Sequence, residues 1–487
     1  MDSLNNLGIA IIENDIEKVR RILNNSNLNI NEKVKGEYPL LMAIENNNVA
    51  IVKLLFKYAR ENNVDLALNI KNKNGYFPLL KAIDNNNIIL VKLIINYANE
   101  KNIILNINEK PTYNVIKQTL LFVDDDFPLL KAIHNNNCEI VNLLIEYADK
   151  NNITLEINEQ NAEGSYPVLA AIDKNNITIV NSLIKYADEK NIILEINEKN
   201  VINGNFPILK TILNENILMI ELLIEYANKN NIILKLNDKN DKGVHPFLAA
   251  ISSTKYEIVK LIIEYANKNN ITFESTIYDN RESLLLDAVK TNNIEIVKLL
   301  IEYTDKKNIV LEINRGESFG NFPLLKAISY VNIDMVKLLI DYADKKNILL
   351  DINKKDKKFL FIYNNKDYPL LEAIRNDSIV IVKLLIEYAN KNSIILNIND
   401  KNNDGEFPLF EAVRNDSIEI IKLLMNYSEK NKIILNINEK GFSGYFPFLY
   451  VVHNVNIELA MLILNYSNKN NIVMNINDKI ILEVFHF

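Results

Sequence analysis

A repeat of about 39 residues constrains this chain more than any other feature of its sequence. Successive copies lie 38 to 40 residues apart over most of the chain, with a shorter first interval of 33 and two longer ones of 50 and 46. The copies are aligned on one small residue, which falls at Ala10, Ala43, Ala82, Ala132, Ala171, Thr211, Ala250, Ala288, Ala327, Ala373, Ala412 and Val451. Such a chain grows by stacking copies of one unit. We therefore expect about twelve units and no single globular core.

Each copy carries the signals of two helices and an extended arm, as residues 77–108 illustrate. A Pro opens the first helix, where its missing N–H is not needed, and an Asn-rich turn ends it, because Asn tolerates the left-handed conformation. A polar cap precedes the second helix, whose apolar residues at i, i+3, i+4 and i+7 predict one buried face. The predicted caps are Asp15, Asn48, Asn87, Asn137, Asn176, Asn216, Tyr256, Asn293, Asn332, Ser378, Ser417 and Asn456.

Two further parts of the unit recur. A Tyr near the end of the second helix, such as Tyr97, is interpreted as a half-buried ring packing between neighbouring units, in preference to a platform for stacking bases. After it, residues such as 103–108 alternate apolar and polar side chains and predict an extended segment. A polar turn then leads to the next Pro.

Bulk properties exclude several classes of protein. The net charge of −7 and pI of about 5.5 argue against non-specific binding to nucleic acid or anionic membranes. The one cysteine, Cys138, allows no internal disulfide and fits a reducing compartment. The first residues show no basic segment followed by an apolar one, and no apolar run approaches the length of a membrane span. We therefore expect a cytoplasmic, monomeric protein without a membrane or nucleic-acid partner.

The text Phe-Pro-Leu-Leu-Lys-Ala at 77–82, followed by Asn-Asn-Asn and Ile-x-x-Val-Lys-Leu, resembles the ankyrin repeat. That family's signature is T-P-L-H-x-A before a short turn and an L-E-I-V-x-L-L-like helix, at a period of 33. The resemblance implies an all-α, ankyrin-like α-solenoid of about twelve helix-turn-helix units with short β-hairpin or loop fingers. Residues 1–487 would form one solenoid, with a capping repeat at 1–33, ankyrin-like repeats at 34–478 and an apolar tail at 479–487.

Residues that differ from the family signature predict differences in packing and in helix length. Phe77 and Leu80 replace the Thr and His of the signature, so apolar packing must replace the hydroxyl–imidazole hydrogen bonds of the family. Asn86 replaces the Gly of the inter-helix turn, and Ala98 replaces the Gly that ends the second helix. We expect that helix to run further, towards Asn102, and to account for the six residues by which the repeat exceeds 33.

The resemblance implies that the chain is a non-enzymatic scaffold that binds protein partners through a concave face and finger loops. The candidate residues form a variable stripe on the first helices, and the alternative is a merely solvated face. The stripe candidates are Lys81, Asp84, Lys131, His134, Lys326, Tyr330, Glu372 and Arg375. An alternative function is a substrate-recognition subunit or effector in a larger complex such as a ubiquitin ligase, although no adaptor domain is visible.

Two insertions and the C-terminus are further candidates. The insertions fall within 111–126 and 354–367, and their apolar centres contain Phe122 and Phe361. They either contact partners or form longer hairpins that pack on the next finger. The tail 479–487 packs over the last arm, ends a truncated gene model, or forms an edge for a partner.

Residues for catalysis or metal binding do not assemble in the sequence. The four His, at 134, 245, 453 and 486, accompany no HExxH motif, Cys cluster or carboxylate box, and no Gly-rich phosphate loop is present. Cys138 has no His or Asp placed beside it by sequence. We therefore expect no enzyme activity, no catalytic residues, no cofactor and no metal.

Overall fold

A computed structural model describes residues 2–25, 27–111, 125–273, 283–316, 321–355, 367–441 and 444–475. Within these ranges the protein consists of 24 α-helices in twelve pairs and has no strand, which confirms the all-α fold and the twelve predicted units. Phe122, Phe361 and the tail 479–487 lie outside the described residues.

The helices alternate along the chain between an inner and an outer helix, and from the second pair onward the inner helix is the shorter of the two. Those of the first six pairs are α1 (Asp2–Ile12), α2 (Ile16–Asn25), α3 (Pro39–Glu45), α4 (Val49–Glu61), α5 (Pro78–Asp84), α6 (Ile88–Glu100), α7 (Pro128–His134), α8 (Cys138–Lys150), α9 (Pro167–Asp173), α10 (Ile177–Lys190), α11 (Pro207–Leu213) and α12 (Ile217–Lys229).

The remaining pairs follow the same alternation. They are α13 (Pro246–Ser252), α14 (Tyr256–Lys268), α15 (Leu284–Lys290), α16 (Ile294–Lys306), α17 (Pro323–Ser329), α18 (Ile333–Lys346), α19 (Pro369–Arg375), α20 (Ile379–Lys391), α21 (Pro408–Arg414), α22 (Ile418–Lys430), α23 (Pro447–His453) and α24 (Ile457–Lys469).

The chain divides into two compact units, Met1–Ala249 and Ala250–Phe487, and the boundary falls inside α13. In the first unit the inner helices α1, α3, α5, α7, α9 and α11 pack each against the next, and the outer helices α2 to α12 do the same. In the second unit, α15 to α23 and α14 to α22 repeat that arrangement. The prediction that 1–487 forms one uninterrupted solenoid stays a prediction.

Ten of the inner helices, all except α1 and α15, are short segments that a Pro begins and a left-handed residue ends. In α5, Pro78 occupies the first turn, and Ala82 is fully buried, which leaves room for the neighbouring inner helix. Phe77 and Leu80 are also fully buried. Apolar packing therefore does replace the hydrogen bonds of the family signature, as the sequence predicted.

Each residue of an Asn triplet has its own task in the turn. Asn85 donates its side-chain amide to the carbonyl oxygen of Ile44 in the preceding repeat, at 2.6 Å. Asn86 adopts the left-handed conformation with φ 50°, which ends the inner helix. Asn87 caps the outer helix and donates to the side-chain oxygen of Asn47 at 2.6 Å. The Asn-rich turn is thus a ladder of hydrogen bonds that joins repeats.

One predicted cap of the second unit is wrong, and two lie where they were predicted but form no side-chain hydrogen bond with the helix. The N-cap of α14 is Lys255, one residue before the predicted Tyr256, and its side chain makes no capping hydrogen bond. Ser378 and Ser417 do precede α20 and α22, but neither side chain accepts a hydrogen bond from the helix. These three outer helices begin without the side-chain cap that Asn provides elsewhere.

The outer helices end later than the family pattern, as expected. In α6 the helix continues past Ala98 to Glu100, and Asn102 takes the left-handed conformation with φ 51°. The helix extension therefore supplies only part of the six extra residues. The others lie in the extended arm that follows.

The recurring Tyr ties each outer helix to the arm of the repeat before it. The hydroxyl of Tyr147 accepts a hydrogen bond from the N–H of Leu105 at 3.0 Å and donates to the carbonyl oxygen of Ile103 at 3.2 Å. The ring is 3% exposed, and burial raises the pKa of Tyr147. This confirms the interpretation of the Tyr series as packing between units.

Arms are linked to each other by Asn side chains in place of a β-ladder. Asn108 donates its amide to the carbonyl oxygen of Thr154 at 2.7 Å and accepts from the N–H of Glu156 at 3.2 Å. Equivalent bridges run from Asn158, Asn197, Asn314, Asn353, Asn399 and Asn438. The side-chain amide thus satisfies two backbone groups of the next arm.

Finger turns are loops closed by Asn and Gly. Asn72 accepts from the N–H of Tyr76 through its side-chain oxygen at 2.9 Å, and Gly75 adopts φ 79°. In the described part of the chain the single β-bridge joins Val34 and Glu37. The fingers are therefore loops in these ranges, and the hairpin form of the prediction is not seen there.

Candidate interaction surface

Four predicted residues of the first unit meet at the ends of α5 and α7. The amino group of Lys81 lies 2.6 Å from one carboxylate oxygen of Asp84, and that of Lys131 lies 3.5 Å from the other. Asp126, which precedes α7, lies 3.6 Å from the Lys131 amino group and 2.6 Å from Nδ1 of His134. The residue Lys131 is only 8% exposed, so the expectation that it is an exposed stripe residue is wrong. Its charge is held between two carboxylates.

A chain of hydrogen bonds, which we call the relay, continues from this cluster through Asp126, His134 and Ser165. The sequence did not predict it. His134 lies between Asp126 and Ser165, because its Nε2 is 3.1 Å from the Ser165 hydroxyl. Burial opposes ionisation of Asp126, but hydrogen bonds from His134 and Asn161 and the nearby Lys131 outweigh it and lower the pKa of Asp126. The relay therefore favours an ionised Asp126.

A carboxylate, an imidazole and a hydroxyl in this order also occur in serine hydrolases. Acyl transfer needs N–H groups directed at the developing oxyanion as well. Here the N–H of Ser165 donates to the Asn161 side chain at 2.8 Å, and the N–H of Gly164 donates to the Asn161 carbonyl at 2.9 Å. Both amides are consumed by the turn, and Ser165 is buried. The relay joins two neighbouring finger bases and offers no such hole.

In the second unit, Lys326 and Tyr330 lie side by side at the end of α17. The Lys326 amino group is 4.5 Å from the centre of the Tyr330 ring, a cation–π contact. The Tyr330 hydroxyl donates to the carbonyl oxygen of Lys290 in the preceding repeat at 3.1 Å. Tyr330 keeps 37% of its surface exposed, so part of the ring is open to a partner.

Glu372 and Arg375 form a second cluster, at α19. Arg375 donates hydrogen bonds to Asp367 from both terminal guanidinium nitrogens, one of them at 2.9 Å. It also lies 2.6 Å from Glu406 of the next finger base and 3.2 Å from Glu372. Burial raises the pKa of Glu372, and the charge of Asp367 adds to that increase although Arg375 opposes it.

Arg414 extends this cluster into the next repeat. Its guanidinium lies 3.2 Å from Glu406 and 2.7 Å from an oxygen of Glu411. Glu411 is fully buried, and its close contact with Arg414 lacks hydrogen-bond geometry, so neither carboxylate oxygen accepts a hydrogen bond from the described residues. Burial, reinforced by the charge of Glu406, raises the pKa of Glu411 to about 7. Four carboxylates here share two guanidinium groups.

Residues that the sequence reading missed share one repeat position. Asp126, Ser165, Asp367 and Glu406 each lie six residues before their anchor and directly before the aromatic–Pro pair. The available signal was that this position varies in charge between copies while the aromatic–Pro pair after it recurs. We name the line formed by these finger-base residues and the C-terminal ends of the inner helices the finger-base line.

The described part of the chain contains neither a metal-binding cluster nor a membrane-spanning helix. Its residues bring together no group of three His, Cys, Asp or Glu side chains able to hold a metal ion. None of its helices combines the length and the apolar character that crossing a membrane requires.

A comparison with protein-family models agrees with this architecture. The family model described as ankyrin repeats (3 copies) matches residues 7–107, 269–356 and 344–434, together more than half of the chain. The chain belongs to the ankyrin repeat family. A solved structure, "Crystal structure of the ankyrin repeat domain of Bcl-3: a unique member of the IkappaB protein family", is 16% identical; the match covers 54% of this chain and 99% of that one, with a TM-score of 0.37. No curated protein matches the sequence.

Proposed function

We propose that this protein is a non-enzymatic scaffold that binds other proteins through the finger-base line. One observation supports this proposal above the others. The frame of each repeat is nearly constant, whereas the finger-base line carries different charges in different repeats, held in place by contacts between neighbouring repeats. A rigid frame with varied side chains lowers the entropy cost of recognising a partner.

Proximity labelling in the native cell tests the proposal. The test variant is K326E/Y330A, which removes the exposed ring and reverses the charge beside it. The matched control is K337E, because Lys337 is an exposed Lys on the outer helix α18 of the same pair. We expect the partner set to be lost in K326E/Y330A and kept in K337E, with all three proteins folded at the temperature of labelling and only a small loss of thermal stability in K326E/Y330A, which lacks the Tyr330 hydrogen bond to Lys290. An identical partner set in every protein would contradict the proposal.

The insertions and the larger assembly are tested in the same way. Phe122 and Phe361 remain proposed contacts, and F122S and F361S should each remove a subset of the labelled partners. Enrichment of ubiquitin-ligase subunits in the set that K326E/Y330A loses would favour a recognition subunit over a free-standing scaffold. The proposed cytoplasmic location rests on the single cysteine, and fractionation of the native cell checks it.

A further inference from the structure

The last helix pair has an apolar face that is only partly covered. We name four of its partly exposed side chains the end face: Phe448 and Val452 on α23, Ala460 on α24 and Met474 in the arm after α24. Their counterparts 39 residues earlier, Leu409, Val413, Ile421 and Leu435, are at most 2% exposed. Since α23 packs on α21, the next repeat is what buries those counterparts. Among the described residues the end face has no such neighbour.

The stretch between an arm and its Pro does part of this covering in other repeats. In the first unit, Ile70 and Pro78 line, together with Leu40 of the preceding inner helix α3, a void of only about 10 Å³. Leu40 is buried, and its counterpart in α23 is Phe448 of the end face. A segment that precedes an inner helix is therefore enough to contact this part of the face.

Residues 476–487 follow the last described residue and keep the register of such a segment. In steps of 39, three of its apolar residues fall on apolar positions of the preceding repeat: Ile476 on Ile437, Phe485 on Phe446 and Phe487 on Phe448. Ile437 and Phe446 are both buried. Lys479 falls on Lys440, whose amino group lies 5.2 Å from the centre of the Phe446 ring. The segment thus repeats the aromatic position together with its cation.

Two other positions of the segment depart from the repeat. Glu483 falls on Gly444, a turn residue with φ 78°, around which an added side chain would meet no atom within 4 Å. His486 falls on Pro447, which begins α23. The segment therefore repeats the apolar positions that precede an inner helix, without the Gly of the finger turn and without the Pro that begins the helix.

We propose that residues 476–487 dock on the end face and close the last repeat, with Phe485 and Phe487 as the main contacts. The segment starts from a fixed point, because Asn438 donates to the Val473 carbonyl at 2.8 Å and accepts from the Asn475 N–H at 3.0 Å. Fully extended, it spans at most about 40 Å, whereas α24 is about 20 Å long. Its length is therefore sufficient to cross the end face.

Covalent attachment favours this segment over a second copy or a separate protein. A short tether gives it an effective concentration of about millimolar at its own end face, and burial of its apolar side chains there is favourable. The inference concerns the closing of the last repeat and not the finger-base line. It therefore goes beyond the function proposed above, and either one can fail without the other.

Photocrosslinking of the full chain tests the docking. A p-benzoylphenylalanine replaces Phe485, and a mixture of isotope-labelled and unlabelled protein separates links within one chain from links between copies. We expect links within one chain to α23, α24 or residues 471–475, identified by mass spectrometry. The same replacement at Glu483, which falls on the open position of Gly444, should give fewer of these links. Links only between copies, which would make a second copy the occupant, overturn the proposal, and so do equal yields at both positions.

Hydrogen exchange measures what the docking does to the last repeat. In F485S/F487S we expect the amides of α23 and α24 to exchange at least about tenfold faster, because two rings leave the end face. The control E483Q should keep the wild-type rates within about twofold. Thermal melting checks that the rest of the chain stays folded. Wild-type rates in α23 of F485S/F487S, or an effect of the same size in E483Q, overturn the proposal.

Discussion

The two compact units are built from one repeat, yet they differ in how well their buried acidic and basic side chains balance each other. In the first unit, Lys81 and Lys131 are matched by Asp84 and Asp126. In the second, Arg375 and Arg414 are shared by four carboxylates, and one of these, Glu411, accepts no hydrogen bond from the described residues. A matched set satisfies its charges internally, whereas a surplus raises carboxyl pKa values and makes stability depend on pH.

The units also differ in their inter-helix turns. The left-handed position is Asn at five of the six inter-helix turns of the first unit, Asn14, Asn47, Asn86, Asn136 and Asn175, and Glu215 at the sixth. In the second unit it includes Val331 and Val455, with φ 53° and 56°. A β-branched residue is disfavoured there, so the second unit carries strain that the first avoids. The same repeat backbone therefore tolerates turn residues with different amounts of backbone strain.

Removal of Arg375 is expected to have the largest effect on this comparison. R375M leaves Asp367, Glu372 and Glu406 without their shared cation. Breaking a buried ion pair costs about 3–5 kcal/mol, and because the Arg375 side chain is 23% exposed we expect about 2–3 kcal/mol. Hydrogen exchange measured by mass spectrometry should show this cost as faster amide exchange in α19 and α21.

The matched variant in the first unit is K131M. Asp84 keeps Lys81, and Asp126 keeps His134, so we expect a cost of about 1–2 kcal/mol in α5 and α7. An equal or larger loss in K131M would refute the view that the first unit is better balanced.

The next effect concerns pH. The folded-state pKa of Glu411, about 7, lies above the ordinary value of 4.5, so the folded state binds the proton more tightly. The contribution of Glu411 to the free energy of unfolding of the second unit should therefore rise as pH falls from 8 through 7, and level off near 4.5, by about 3 kcal/mol in total. Exchange rates in α21, corrected for the intrinsic pH dependence, measure this rise.

Two variants assign that pH response to one carboxyl group. E411Q should flatten it, because the amide does not titrate in this range. H134Q removes the relay of the first unit and should leave the response of α21 unchanged. If the slope survives in E411Q, Glu411 is not its source.

The sequence predicted the helices and turns within each repeat. It predicted fewer of the side-chain contacts between neighbouring repeats. Periodicity located the helices, and Pro78 and Asn86 marked the ends of α5 because their backbone preferences are local. The relay from Asp126 through His134 to Ser165 was missed, since its ends lie 39 residues apart and meet only through stacking. The burial of Lys131 was missed for the same reason.

The turn residues provide a smaller and more local comparison. V331N should stabilise the second unit by about 1 kcal/mol, because Asn adopts the left-handed conformation at lower cost. The reverse change, N86V, should cost about 1–2 kcal/mol, since it adds that strain and also removes the hydrogen bond that Asn137 donates to Asn86 at 2.7 Å. Urea unfolding measures both. V331A is the control, and a gain as large as that of V331N would mean that relief of side-chain crowding, not backbone preference, is responsible.

The smallest expected effect concerns one turn of the second unit at which Tyr replaces the Asn of the ladder, whereas Asn376 and Asn415 keep the ladder at the next two turns. Tyr330 occupies the turn position that Asn85 holds in the first unit, and its hydroxyl reaches the carbonyl oxygen of Lys290 in the preceding repeat. Y330F removes only that hydrogen bond and keeps the ring against Lys326, so we expect a loss of about 0.5 kcal/mol at this exposed site. N85A should cost about 1 kcal/mol in urea unfolding, because the carbonyl of the buried Ile44 loses its 2.6 Å side-chain donor and keeps only the N–H of Asn47. If Y330F costs as much as N85A, the tyrosine is a full substitute for the Asn link, and the second unit is not the more weakly joined of the two at this turn.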